Sequence, residues 1–157
     1  MHDLVVDWGS FYANHAAIRT AVLFAHIGGL VAAAGAAMTA DRGILNAIHL
    51  DAKGRAAQLV AIQSTHRVVI AGLVFIALSG PLLFASDLDA FLSSKLFWTK
   101  MTLFALLLIN GAVLTSAERR AAGGHLAAWS TLKLTAIASI ALWSLVTLCG
   151  VALPNIG

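Results

Sequence analysis

Residues 20–40, TAVLFAHIGGLVAAAGAAMTA, contain no Asp, Glu, Lys or Arg. A helix needs about 20 apolar residues to cross the hydrocarbon core of a bilayer, and about 17 is the lower limit. Three further stretches lack these charged residues in the same way: 68–86, 101–117 and 134–157. Lipid offers the backbone no hydrogen-bond partner, so runs of this length form helices. The pattern predicts four transmembrane helices, at about residues 18–40, 66–84, 97–116 and 132–153.

The composition of the whole chain agrees with this pattern. Of its 157 residues, 60% are hydrophobic and only 11% are charged, whereas an ordinary soluble domain has about a quarter charged residues. The low charge excludes a soluble globular domain, and the high hydrophobicity excludes disorder. We therefore expect an all-α polytopic membrane protein, a four-helix bundle that forms one transmembrane domain over residues 1–157.

The N-terminal segment, residues 1–16, is mildly amphipathic. Its aromatic residues Trp8, Phe11 and Tyr12 suit the boundary between membrane and water. Because Asp3 and Asp7 precede the first apolar stretch, where a signal peptide would carry basic residues, it does not resemble a cleaved signal. We expect a short interfacial helix that leads into the first span.

The connections between the spans predict the orientation of the chain. The first is the longest, residues 41–65, although its AAQLVAIQSTHR segment favours an earlier start of the second helix. The first and third connections and their flanks carry seven basic residues: Arg42, Lys53, Arg55, Arg67, Arg119, Arg120 and Lys133. The opposite side carries Arg19, Lys95 and Lys100. The positive-inside rule then places both termini outside, in the periplasm if the membrane is a bacterial inner membrane. Charge at helix ends serves topology and does not indicate nucleic-acid binding.

A faint internal repeat links the two halves of the chain. LFA at 23–25 matches LFA at 103–105, and TADR at 39–42 resembles SAER at 116–119. IALS at 76–79 also resembles IALW at 140–143. The repeat predicts two similarly oriented hairpins, although short matches arise by chance in so apolar a sequence.

Polar residues at membrane depth are the best pointers to function. At a rise of 1.5 Å per residue, His26 lies about 6 Å and Lys100 about 10 Å from the midplane, both in the outer half. We expect the two to share a pocket with walls from Ser79, Gly80, Met101, Ser144 and Cys149. Two simpler interpretations remain open: an interhelical hydrogen bond for His26, and a Lys100 side chain that snorkels to the headgroups.

Other patterns narrow the function. His66 lies about 22 Å in depth from His26, so the two are not expected to ligate one haem iron together; it fits an interfacial pair with Arg67. The predicted spans contain no Asp or Glu, which argues against proton pumps and cation transporters. The sequence has no Cys/His cluster, phosphate-binding loop or nucleophile elbow. A single haem b is compatible with the sequence. His26 would be one axial ligand of the iron, and the other axial position would hold Met101, Lys100, water or no ligand.

The chain resembles the CopD and HemJ-like group of small bacterial membrane proteins. The resemblance rests on His26 followed by IGGLVAAAGAAMTADRG, and on Phe97-Trp98-Thr99-Lys100 at the start of the third span. HemJ-type proteins are haem-binding protoporphyrinogen oxidases that use a His and a Lys at these places, so the resemblance implies roles for His26 and Lys100. The aromatic- and proline-containing stretch that follows the His in HemJ is replaced here by GGLVAAAGAAMTADR, which favours haem binding over that oxidase activity.

These observations lead to one expected function and two alternatives. We expect an integral membrane redox protein with a b-type haem in the outer half, and, if it is an enzyme, a haem-dependent oxidoreductase. Lys100 would then pair with a propionate, a quinone oxygen or a porphyrin carboxylate. The first alternative is a non-enzymatic subunit of a larger membrane complex or homo-oligomer, because the first span is rich in small residues. The second is copper or small-solute transport, for which the spans offer Met38, Met101 and Cys149 as soft ligands.

Overall fold

The computed structural model describes residues 2–156, with side chains for 7–155, and in that range the chain is all-α. Its helices are α1 His2–Asn14, α2 Ala16–Ala47, α3 Ala52–Ser86, α4 Leu88–Ser93, α5 Lys95–Ala122 and α6 Ala128–Ile156. By length and composition, α2, α3, α5 and α6 can each cross a membrane. Their outer surfaces expose large apolar side chains such as Phe24, Val60, Leu78 and Leu134, as helices in contact with lipid do. The expectation of an all-α four-helix membrane protein is confirmed.

We name the end of the bundle that holds the α2–α3 and α5–α6 connections the inner end, and the opposite end the outer end. At the inner end, the helices extend beyond the predicted spans. α2 continues to Ala47 and α3 begins at Ala52. The long connection expected at 41–65 is therefore wrong, whereas the earlier start of the second helix, which the AAQLVAIQSTHR segment favoured, is confirmed. The charged residues of this region do not end the helices. With 32 and 35 residues, α2 and α3 are about 48 and 53 Å long, well beyond a hydrocarbon core of about 30 Å. Asp51 caps α3 by accepting a 2.8 Å hydrogen bond from the Gly54 N–H.

At the outer end, α1 and α4 pack beside the long helices. The Trp8 indole N–H donates to the Leu82 carbonyl at 2.9 Å, which ties α1 to the last turns of α3. The rings of Phe84 and Phe97 stack at 5.3 Å between α3 and α5. α3 continues through Pro81 to Ser86, and α6 continues past Pro154 to Ile156. The expected N-terminal segment is therefore a helix, and it is anchored on the bundle.

The packing of the four long helices is uneven. α2 packs along α3, α5 packs along α6, and α2 lies against α6, whereas α3 and α5 contact each other little. α2 and α3 approach closely at Gly29 and Gly72, where a methyl group on Gly29 would lie 2.8 Å from the Gly72 carbonyl oxygen. Gly28 and Gly35 of the same helix, by contrast, have no atom within 4 Å of an added methyl. The bundle is consequently most open between α3 and α5.

The largest cluster of buried apolar residues lies at the inner end of the bundle. It includes Ile44, Leu59, Ile62, Leu114 and Leu132, contributed by all four long helices. A smaller cluster with Ala33, Leu107 and Trp143 lies farther out. The inner cluster excludes water from the ends of α2 and α5, so polar groups located there are buried.

Candidate functional site

The structure brings His26 of α2 and Ser79 of α3 together in the outer half. The His26 Nδ1 lies 3.0 Å from the Ser79 Oγ, and the Ser79 hydroxyl donates to the Phe75 carbonyl at 2.5 Å. A serine hydroxyl has one hydrogen to donate. Since Phe75 takes it, Ser79 accepts from the Nδ1–H of His26. The neutral imidazole then carries its lone pair on Nε2, the form that binds metals.

Lys100 of α5 lies on the same side of the bundle. A methyl group added to Gly150 would lie 3.6 Å from the Lys100 Nζ, and the Cys149 thiol and the His26 ring are close enough to Lys100 to interact with its charge. At Gly80, an added methyl would lie 3.7 Å from the His26 Cε1. Ser79 and Gly80 thus lie at His26, and Cys149 lies at Lys100, where the depth estimate expected them.

Met101 and Ser144, two further residues expected to line the outer pocket, are exposed. Met101 is 42% exposed on α5, and its role as an iron ligand stays a prediction. Ser144 is exposed and donates to the Ile140 carbonyl of its own helix at 2.8 Å. The polar groups that face each other in the outer half are therefore His26, Ser79 and Lys100.

A second polar site lies at the inner end, between α3 and α5. The His66 Nε2 and the Glu118 Oε2 are 3.2 Å apart, and the Glu118 side chain is nearly buried. Arg67, the other residue of the expected interfacial pair, is exposed. His66 thus links two helices that otherwise contact each other little.

Asp41 of α2 lies behind this pair. It is 2% exposed, the Ser139 hydroxyl of α6 is within hydrogen-bonding reach of its carboxylate, and Glu118 is near enough to interact with it electrostatically. Among the described residues, neither the Asp41 Oδ2 nor the Glu118 Oε1 has a hydrogen-bond partner, and both atoms are buried. Sequence reasoning missed these two acids because they fall just beyond the predicted spans.

A pocket of about 330 Å³ opens beside the His66–Glu118 pair. Its lining comes from α3 and α5: Leu59, Gln63, His66, Thr115, Glu118, Arg119 and Ala122. This volume holds several water molecules. Glu118 therefore stands between a space that water can enter and the buried Asp41.

The fold and these two sites define the class of the protein: a multi-pass α-helical membrane protein with one polar site in each half of its bundle. Within the described part of the chain, no group of three or more His, Cys, Asp or Glu residues is arranged to hold a metal ion. No protein family, curated protein or solved structure matches the sequence.

Proposed function

We propose that the protein is an integral membrane redox protein that binds one b-type haem in the outer half of its bundle, with His26 as axial ligand. The observation that carries the proposal is the hydrogen bond from the His26 Nδ1 to Ser79. Metal-ligating histidines almost always donate their other ring N–H to a fixed acceptor, which sets the tautomer and the ring orientation. Ser79 is such an acceptor, and it leaves Nε2 available.

The neighbouring residues fit a porphyrin better than a bare metal ion. Among the described residues, His26 belongs to no group of three His, Cys, Asp or Glu that would complete an ion site, whereas a porphyrin brings four nitrogen ligands of its own. Gly80 beside His26 and Gly150 beside Lys100 lack side chains, so a flat ring can approach the backbone there. The Lys100 ammonium would pair with a propionate carboxylate through a charge-assisted hydrogen bond. When bound, the haem supplies one-electron transfer; the chain holds and orients it.

The absorbance spectrum of the purified protein tests this proposal. We expect a Soret band in the wild type, either as isolated or after haem is added, and its loss in His26→Ala. His49→Ala is the matched control, because His49 is exposed near the inner turn and its removal should leave the band unchanged. A wild type that shows no Soret band under either condition contradicts haem binding. A band that persists unchanged in His26→Ala contradicts the ligand assignment.

We also propose a bacterial inner-membrane location with both termini in the periplasm. The excess of basic residues at the α2–α3 and α5–α6 ends of the bundle supports it. In a Cys149→Ser background, single cysteines at exposed positions report the sidedness: Asp89→Cys in α4 and Ala127→Cys in the α5–α6 connection. In intact cells, a membrane-impermeant maleimide should label Asp89→Cys only. Labelling of Ala127→Cys only would mean that the orientation is the opposite one, with both termini in the cytoplasm.

A further inference from the structure

The two buried acids occupy equivalent places in the internal repeat. In TADR at 39–42 and SAER at 116–119, the first and last residues are exposed and the middle two are buried. Asp41 is 2% and Glu118 is 8% exposed. The repeat that seemed faint in the sequence therefore has one structural meaning: each hairpin buries one carboxyl group at the inner end of its first long helix.

Each acid also turns toward the opposite hairpin. Glu118 of α5 pairs with His66 of α3, and Asp41 of α2 faces Ser139 of α6. The two acids differ, however, in how accessible they are to water. α2 lies against α6 and covers Asp41, whereas α3 and α5 part beside Glu118, and the pocket opens there. Water can thus reach the pair from the Glu118 side.

The charges around the two acids do not balance. Burying a charge without a partner is strongly unfavourable, and a buried carboxylate without one tends to take up a proton instead. Among the described residues, His66 is the one basic side chain within 4 Å of either acid, and its contact is with Glu118. Arg55 is engaged elsewhere, with the Ile48 carbonyl at 2.6 Å and with the Trp129 ring.

The other Lys and Arg side chains at this end of the four packed helices are exposed: Arg42 on α2, Lys53 and Arg67 on α3, Arg119 and Arg120 on α5, and Lys133 on α6. Arg119 lines the pocket, but it is exposed there. One imidazole, which can carry at most one positive charge, therefore faces two buried carboxyl groups. A proton on one carboxyl removes the surplus charge and turns an unpartnered oxygen into a hydrogen-bond donor.

We infer that Asp41 and Glu118 form a proton-binding pair that holds one proton between them at neutral pH and exchanges it with water in the pocket beside His66. When the pair is empty, a protonated His66 gives its Nε2 proton to the Glu118 carboxylate, which leaves a neutral imidazole and a carboxylic acid. The imidazole then takes up a proton that reaches it from bulk solution through water in the pocket, and release of the proton from the pair is the reverse of these two steps. This site is independent of His26 and lies at the opposite end of the bundle.

Infrared spectroscopy of the full-length protein in lipid tests the inference, because a protonated carboxyl group has a C=O stretching band that a carboxylate lacks. At neutral pH we expect this band in the wild type, shifted in D2O, absent in Asp41→Asn and displaced or absent in Glu118→Gln. Asp51→Asn is the matched control: Asp51 is exposed, Asn also caps helices, and the band should be unchanged. A wild type without the band at neutral pH overturns the inference, and so does a band that both variants retain.

The role of the pocket has its own test, which needs no change to the acids. Ala122 lines the pocket and Ala127 lies outside it. Ala122→Leu should slow the D2O shift of the band at least severalfold, while Ala127→Leu should leave its rate unchanged. Equal rates in both variants overturn the route through the pocket. If added Na⁺ removes the band at constant pH, the pair is a cation site and the proton assignment is wrong.

Discussion

Gly29 of α2 and Gly72 of α3 bring the backbones of their two helices into close contact. A methyl group on Gly72 would lie 2.5 Å from the Gly29 carbonyl oxygen and 2.8 Å from the Ala33 Cβ; one on Gly29 would lie 2.9 Å from the Phe75 Cβ. These neighbours are backbone or Cβ atoms, which cannot rotate away. The contact brings α2 and α3 close enough for His26 to reach Ser79, so helix packing and the outer site depend on the same two residues.

Alanine at either glycine should therefore separate the first hairpin. Overpacking of this kind costs about 1–3 kcal/mol, and we expect Gly29→Ala and Gly72→Ala to lower the thermal unfolding temperature in detergent. Gly28→Ala and Gly35→Ala are matched controls on the same helix, because nothing lies within 4 Å of the added methyl. Their stability should be unchanged or slightly higher, since Ala favours helix over Gly by about 1 kcal/mol. Equal losses in all four variants would show that the close contact is not the cause.

Ser79→Ala should weaken haem binding without removing the ligand. The variant leaves the His26 Nδ1–H without its acceptor, and loss of such a supporting hydrogen bond typically costs about 10–100-fold in metal affinity. Haem titration followed at the Soret band measures the change. Ser144→Ala is the control, because its hydroxyl bonds only within α6. An affinity in Ser79→Ala equal to that of the control would mean that Ser79 does not orient His26.

The four spans and much of the outer site were predictable from the sequence. Charged residues are costly in lipid, so stretches without them mark the membrane. The α-helix rises regularly by 1.5 Å per residue, so depth can be counted from the middle of each span. This arithmetic brought His26 to the level of Ser79 and Gly80, which it contacts. It could not show which way each side chain turns, and Ser144, at the expected depth, faces outward instead.

The inner site could not be predicted in the same way. Asp41 and Glu118 each precede an arginine, and charged residues at a span's end ordinarily mark the water boundary. Here the helices continue for another one to two turns and pack around the inner apolar cluster, which buries the acids outside the predicted spans. The TADR and SAER repeat was the available signal, but composition alone makes such matches common. Only the burial of both middle residues gives it meaning.

Asn110→Ala should loosen the second hairpin modestly. The Asn110 Nδ2 donates to the Thr135 carbonyl at 3.0 Å, which joins α5 to α6. Hydrogen bonds between membrane helices contribute about 0.6 kcal/mol on average and about 1.7 at most. Asn155→Ala is the control, since Asn155 bonds to Val151 of its own helix. Unfolding in a denaturing detergent should distinguish the two, and a larger loss in Asn155→Ala would contradict the assignment.

The His66–Glu118 contact is the side-chain ion pair between α3 and α5, and a double-mutant cycle measures what it contributes. His66→Ala leaves a nearly buried carboxylate without its partner, so this variant should lose about 1–3 kcal/mol of stability at neutral pH. Glu118→Gln should lose less, because the amide can still accept a hydrogen bond from the ring. With both changes together, the loss should be smaller than the sum of the two single losses, since the second change no longer breaks a contact. Strictly additive losses would mean that the pair does not hold α3 to α5. The apolar cluster alone would then determine the shape of the pocket beside the pair.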